Sequence, residues 1–234
     1  MIFNFLQFFC VVLLASTLAC NTVSSSTKSG TSQNAAVESP VADTLPSDEK
    51  GMKTAVFAGG CFWGLEAVFE HIKGVKDVTS GYSGGDAKTA DYETVSNGTT
   101  GHAESVKITY DPSKVSYEQL LKVFFAVAHD PTELNRQGPD TGTQYRSAIF
   151  YNDAEQKKSA ENYIAGLTES KAFSSPIVTQ VVPLKDYYKA EDYHQNYLEQ
   201  HPNQPYIVIN DQPKVENLKK QFPELYVSKE NSTK

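Results

Sequence analysis

One cysteine, Cys61, stands apart from the first twenty residues, and it lies in the octet GGCFWGLE, Gly59 to Glu66. The preceding TAVFA is a short apolar run, and Phe62, Leu65, Phe69 and Ile72 recur at helical spacing up to Gly74. The thiol therefore falls where a strand gives way to a helix. Two glycines let the backbone turn sharply there, and the unpaired N–H groups and dipole of the first helical turn favour an anion. The placement predicts a thiol of lowered pKa, held as a thiolate and nucleophilic. It is equally compatible with a small, buried, unreactive side chain, which is what most free cysteines are.

Phe62 and Trp63 follow directly. Consecutive helical residues point about 100° apart, so both cannot pack on the face that carries Leu65 and Phe69, and one of the two should face a cleft. An aromatic wall beside a reactive sulfur suits a small apolar group such as a methyl. In HAESVKITYDP, strict alternation puts His102, Glu104, Val106, Ile108 and Tyr110 on one face of a strand. A Glu104 carboxyl carried to that apolar side has a raised pKa and can donate a proton near neutrality. At the strand end it can instead point into solvent.

Other constellations fail on spacing. His102 and Glu104 spell the H-x-E of zinc deaminases, but the P-C-x-x-C that would complete the ligands is missing. No other His, Cys and carboxylate grouping has metal spacing, so no metal is expected. GYSGG, Gly81 to Gly85, lacks the nucleophile-elbow spacing and reads as a turn. Two alternatives remain open at this level: Cys61 with His102 or His129 as a thiol-dependent acyl transferase or hydrolase, and a non-enzymatic surface module with Cys61 merely buried.

The elements that must hold these residues can be read from periodicity. After the first strand and helix come a second strand over Val75 to Tyr82, a glycine- and threonine-rich loop to Gly101, and the strand that carries Glu104. Ser116 and Gln119 form a capping box for a helix to about Ala128, and RSAIFY, Arg146 to Tyr151, is the next strand. This βαββαβ order predicts an α+β fold, a two-layer sandwich with a ferredoxin-like core. Asp153 caps a further helix to Leu167, Ile177 to Val182 adds a strand, and AEDYHQNYLEQ adds a last helical piece before a Pro-punctuated tail.

Around this domain, taken as residues 53–228 with a tail at 229–234, the chain changes character. Residues 1–20 are almost entirely apolar and end at Leu18-Ala19-Cys20, which resembles the processing site of bacterial lipoproteins, where the cysteine is lipidated. Thr17 and the lack of an early Lys or Arg depart from that pattern, and a plain signal peptide or a retained membrane anchor is the alternative. Residues 21–52, rich in Ser, Thr, Ala and Asp, read as a flexible linker. The expectation is an exported protein of the bacterial cell envelope, anchored through lipidated Cys20. A net charge of -7 without a basic cluster in the folded part excludes nucleic acid and anionic lipid as partners. With Cys10 and Cys20 in the leader, Cys61 has no internal disulfide partner.

Taken together, GGCFWGLE, GHAE (Gly101 to Glu104), DTGTQYRS (Asp140 to Ser147) and EDYHQNYL (Glu191 to Leu198) resemble the A-type peptide methionine sulfoxide reductases, over nearly everything from Lys53 to Tyr226. The resemblance implies thiol-dependent reduction of methionine S-sulfoxide, free or within proteins, through a sulfenic acid on Cys61, in repair of oxidised proteins. By similarity Cys61 attacks the sulfoxide sulfur, Phe62 and Trp63 hold the S-methyl group, and Glu104 delivers a proton to the departing oxygen. Tyr92 and Tyr145 resemble the family's hydroxyl donors to that oxygen, Asp140 a supporting partner, and His194 a recurrent structural position. Among 13 tyrosines, spacing alone does not single these two out. No bound cofactor is implied, only an external reductant, a thioredoxin-like protein or a dithiol, acting on a monomer. Many relatives carry further cysteines near the C-terminus that resolve the sulfenic acid. None follows Cys61 here, so an external thiol is expected to reduce Cys61 directly.

Overall fold

The computed structural model describes residues 51–229. The leader, Cys20, nearly all of the linker and residues 230–234 lie outside the described residues.

The elements in chain order are β1 (Lys53–Ala58), α1 (Phe62–Glu70), β2 (Val75–Ser83), α2 (Tyr92–Val95), β3 (Ala103–Tyr110), α3 (Tyr117–Val123), β4 (Arg136–Gln137), β5 (Asp140–Thr141), β6 (Ala148–Tyr151), α4 (Ala154–Glu169), β7 (Gln180–Pro183), β8 (Tyr188–Lys189), α5 (Tyr197–Gln200) and α6 (Gln212–Gln221). The main sheet runs β7-β6-β1-β3-β2-β8. Its middle four strands, β6-β1-β3-β2, are all antiparallel neighbours. β1 and β2 are thus parallel with β3 between them, the split arrangement of a ferredoxin-like α+β core. β7 extends one edge in parallel and β8 the other edge antiparallel.

Alternation along β1 sorts the two faces. Ala55 and Phe57 join Leu65, Phe69, Leu121 and Phe124 in the main core, while Val56 and Ala58 face a smaller cluster with Ala148, Phe150 and Tyr187. Tyr187 covers the second face closely enough to bury Ser105 and Lys107 as well, with Lys107 Nζ 5.4 Å from its ring centroid. Both faces of β3 are therefore covered, and Glu104 at its start lies inside the protein rather than in solvent.

The capping box at Ser116 and Gln119 forms, and Asp153 caps α4. α3 continues through Phe124–Ala128 as a wider π-helical turn. Four expectations need correction. The loop before Gly101 contains α2, because Asp91 Oδ1 accepts the Thr94 N–H at 2.9 Å and starts a helical turn that glycine content conceals. The strand expected from Ile177 begins at Gln180. The last helical piece breaks in two, a 3-10 turn over Asp192–His194 and then α5, because Asn196 takes a left-handed conformation at φ +53°. The tail holds α6, into which a π-helical turn over Ile207–Asp211 runs directly, so Pro213 does not end the helix.

Candidate active site

Cys61 is the N-cap of α1, directly after Gly60 at φ +95°. A Cβ on Gly60 would lie 2.5 Å from the Gln137 side chain, so the second glycine is needed for both its conformation and its lack of bulk. Gly64, one turn further along, lets the Asp211 and Lys214 side chains close against α1. A Cβ there would lie 2.2 Å from Asp211 Oδ1, which Lys214 Nζ meets at 3.1 Å. The thiol is 8% exposed.

The expected lowering of the Cys61 pKa does not occur. Burial raises it well above the ordinary thiol value, and the nearby Glu104 and Asp211 carboxyls raise it further. The Trp63 N–H in the first turn of α1 and the Lys214 ammonium act the other way and are outweighed. Loss of hydration exceeds what one helix N-terminus returns, so the resting side chain is a neutral thiol.

Glu104 is 2% exposed and Oε2 accepts the Phe62 N–H at 3.1 Å. That bond favours the carboxylate, yet burial dominates and raises the pKa to about 8, with smaller contributions from Asp140 and Asp211. At neutral pH the group is a carboxylic acid beside Cys61.

Cys61, Phe62, Trp63, Tyr92, Glu104, Asp140, Tyr145, Gln204 and Tyr206 line one cavity of about 280 Å³. The structure thus gathers all seven residues singled out in the domain. Tyr92 opens α2, and its backbone N–H donates to Glu191 Oε1 at 2.8 Å. Tyr145 ends the 3-10 turn Thr143–Tyr145. Burial raises the pKa of both phenols, so they remain hydrogen-bond donors. Asp140, on β5, accepts a hydrogen bond from the Tyr206 hydroxyl, and burial holds its own pKa above the usual range.

Both aromatic side chains after Cys61 line the cavity, where one had been expected. Phe62 does so while fully buried, with its ring centroid 4.9 Å from that of His194. Trp63 stacks on Tyr197 at 3.7 Å with 6° between planes, meets Tyr206 edge-on, and donates from Nε1 to His194 Nδ1 at 3.2 Å. His194 is therefore an acceptor at Nδ1, and burial lowers its pKa. Neither of the alternative catalytic histidines lines this cavity. His129 is tied to Ser147 Oγ and the Phe124 carbonyl, and His102 to the Asp86 carbonyl.

A family model described as "Peptide methionine sulfoxide reductase" matches residues 53–226. The chain belongs to the peptide methionine sulfoxide reductase family. Among curated proteins, the peptide methionine sulfoxide reductase MsrA 2 of Mesorhizobium japonicum is 58% identical over 78% of this chain and 95% of its own length. That of Synechocystis is 53% identical over 80% of this chain and 88% of its own. Among solved structures, Mxr1 of Saccharomyces cerevisiae in reduced form is similar at TM-score 0.62 and 32% identity, covering 71% of this chain and 94% of Mxr1. Methionine sulfoxide reductase A of Corynebacterium diphtheriae is similar at TM-score 0.59 and 36% identity, over 67% of this chain and 78% of that one.

Sequence reasoning about this family member missed Tyr206, Gln204, Tyr197 and Glu191. Tyr206 and Gln204 come from the Pro-punctuated segment read as tail, and nothing in its composition marks them. Glu191 and Tyr197 lie inside EDYHQNYL, so a signal was present. Glu191 joins three elements, with Oε1 on the Tyr92 N–H, Oε2 on the Tyr82 hydroxyl at 2.9 Å, and His194 Nε2 at 4.0 Å.

Proposed function

We propose that the chain reduces the S epimer of methionine sulfoxide, free and in proteins, to methionine, with an external dithiol as the terminal reductant. What carries this reading is a neutral carboxyl, Glu104, anchored to the N–H beside the Cys61 thiol and facing an aromatic wall. A sulfoxide yields its oxygen only as that oxygen gains a proton, so a nucleophile and an uncharged acid must reach opposite ends of one S–O bond.

In this scheme the methyl group lies against Phe62 and Trp63, and the oxygen points to Glu104, Tyr92 and Tyr145. The two phenols are half-buried donors aimed at one site, where preorganised donors act on developing charge. Sγ bonds to the substrate sulfur as Glu104 protonates the oxygen, and Glu104 recovers the proton that the neutral thiol releases. The protonated oxygen then moves to Sγ with the electron pair of its bond to the substrate sulfur, as methionine departs with the electron pair of the sulfur–sulfur bond. In sum, Cys61–SH and R₂S=O become Cys61–SOH and R₂S, two electrons passing from Sγ to the substrate sulfur. The test is turnover of the separated epimers with dithiothreitol. Turnover of the S epimer that vanishes in Cys61→Ser supports the reading, and equal activity in Cys61→Ser ends it.

The leader supports a second proposal, that the protein is exported and held at the cell envelope by lipidated Cys20. Metabolic labelling with a fatty acid that is lost in Cys20→Ala is the expected result. Label retained in that variant would contradict it.

A further inference from the structure

Cys61 lines two cavities. Besides the one described, a smaller cavity of about 60 Å³ is bounded by Cys61, Gln137, Gly138, Pro139, Asn210 and Lys214, together with Asp140 and Tyr206. Apart from Cys61, only Asp140 and Tyr206 belong to both, and these two are joined by a hydrogen bond. This hydrogen-bonded pair forms part of the wall of both cavities. None of the groups assigned to the sulfoxide oxygen lines the smaller cavity.

We propose that the smaller cavity is the route by which the reductant's sulfur reaches Cys61, separate from the substrate's route. The inference rests on the reductase reading above. Substitution at a divalent sulfur places the entering and leaving groups on opposite sides of it. The oxygen on Sγ points toward Glu104, Tyr92 and Tyr145, so an attacking thiolate must arrive from the side away from them. The smaller cavity, lined by Cys61 and by none of those groups, has room for about one CH₂–S unit. Lys214 on its wall, though paired with Asp211 at 3.1 Å, offers an ammonium group to an incoming thiolate, and Gln137 is seated there by the bare Gly60. With no cysteine following Cys61 in the chain, nothing internal needs to occupy this cavity during turnover.

The step balances as follows. A reductant thiolate RS⁻ attacks Sγ of Cys61–SOH, the S–O bond breaks, Cys61–S–SR forms, and the departing hydroxide takes a proton to become water. The second thiolate of the same dithiol then attacks the R-side sulfur and releases Cys61. The dithiol is oxidised by two electrons and the sulfenic acid reduced by two.

Two bulky substitutions on different walls, Pro139→Trp and Asn210→Trp, test the route in the full chain. Methionine release in the first turnover should stay within about twofold, whereas the second-order rate of sulfenic acid reduction should fall about tenfold or more in each variant. The fall should occur both with dithiothreitol and with a thioredoxin-type protein dithiol, since both must follow the same line to Sγ. Unchanged reduction in both variants, or a fall confined to the protein dithiol, would overturn the proposal. So would slower reduction of the unaltered protein when N-acetylmethionine amide is added to saturation, because a blocked substrate cavity would then be blocking the reductant. A first turnover that releases no methionine even in the unaltered protein would instead remove the reductase reading itself.

Discussion

The Glu104 carboxyl accepts the backbone N–H of Phe62 at 3.1 Å, across 42 positions of sequence. One bond thereby sets the distance between the start of β3 and the first turn of α1, and it places an acid next to the residue that follows Cys61. Because burial outweighs that bond, the acid keeps its proton to about pH 8.

Glu104→Gln preserves the acceptor for the Phe62 N–H and removes the transferable proton. Methionine release in a single turnover should fall roughly 10²- to 10⁴-fold, the usual worth of a positioned general acid. In the unaltered protein the same rate should decline as pH rises through about 8, as the carboxyl ionises. The residual rate of Glu104→Gln should lack that decline. A variant that retains full speed would assign the proton to another group.

The neutral state of Cys61 has its own signature. Alkylation by iodoacetamide in the absence of substrate should be slow at neutral pH and should climb with alkalinity past the ordinary thiol value, because burial and two carboxyls oppose the anion. A plateau reached below pH 7 would reveal a resting thiolate and return the helix N-terminus to the leading role.

Much of this was legible in the sequence, and the reason differs by element. The βαββαβ core could be read because periodicity is backed by local signals, a capping box at Ser116 with Gln119 and glycine punctuation at Gly59-Gly60. Alternation along β3 gave Glu104 its side but left its burial open at the strand end, and the bond from the Phe62 N–H of α1 is what holds it inside. The sign of the Cys61 shift was not legible, since a helix N-terminus is visible in a sequence and the depth of a thiol is not. Tyr206 was hidden for a similar reason. It precedes the π-helical turn that leads into α6, a helix polar over most of its surface, and what lets that turn close against α1 is the space that Gly64 leaves for Asp211 and Lys214, a tertiary fact.

Tyr92 and Tyr145 line the cavity from separate elements, α2 and the turn after β5. If both donate to the same oxygen, Tyr92→Phe and Tyr145→Phe should each slow the first turnover by roughly 10- to 100-fold, somewhat less than loss of a sole oxyanion donor, and the double variant should lose more than either. Thermal stability should change little. Equal rates in the single and double variants would show that one phenol suffices.

A second buried acid gives a stability test. Glu66 on α1 is 1% exposed, accepts the Asn196 N–H at 3.0 Å, and has its pKa raised to about 8, first by burial and then by Glu70. The folded state holds this proton more tightly than the unfolded chain does, so its contribution to stability is complete below the ordinary value of 4.5 and is lost as pH rises through about 8. Tm should fall between mildly acidic and mildly alkaline buffers, and the fall should be smaller in Glu66→Gln, which keeps the acceptor. Identical falls in the two proteins would contradict this.

The most direct measurement is one turnover without reductant, using methionine S-sulfoxide that carries isotopically labelled oxygen, followed by peptide-resolved mass spectrometry. The account predicts one methionine released per chain and the labelled oxygen on the peptide that contains Cys61, where a sulfenic-acid trap captures it. Methionine released with Cys61 unmodified, or with the label found only in water before any trap or thiol is added, would contradict the transfer of oxygen to Sγ.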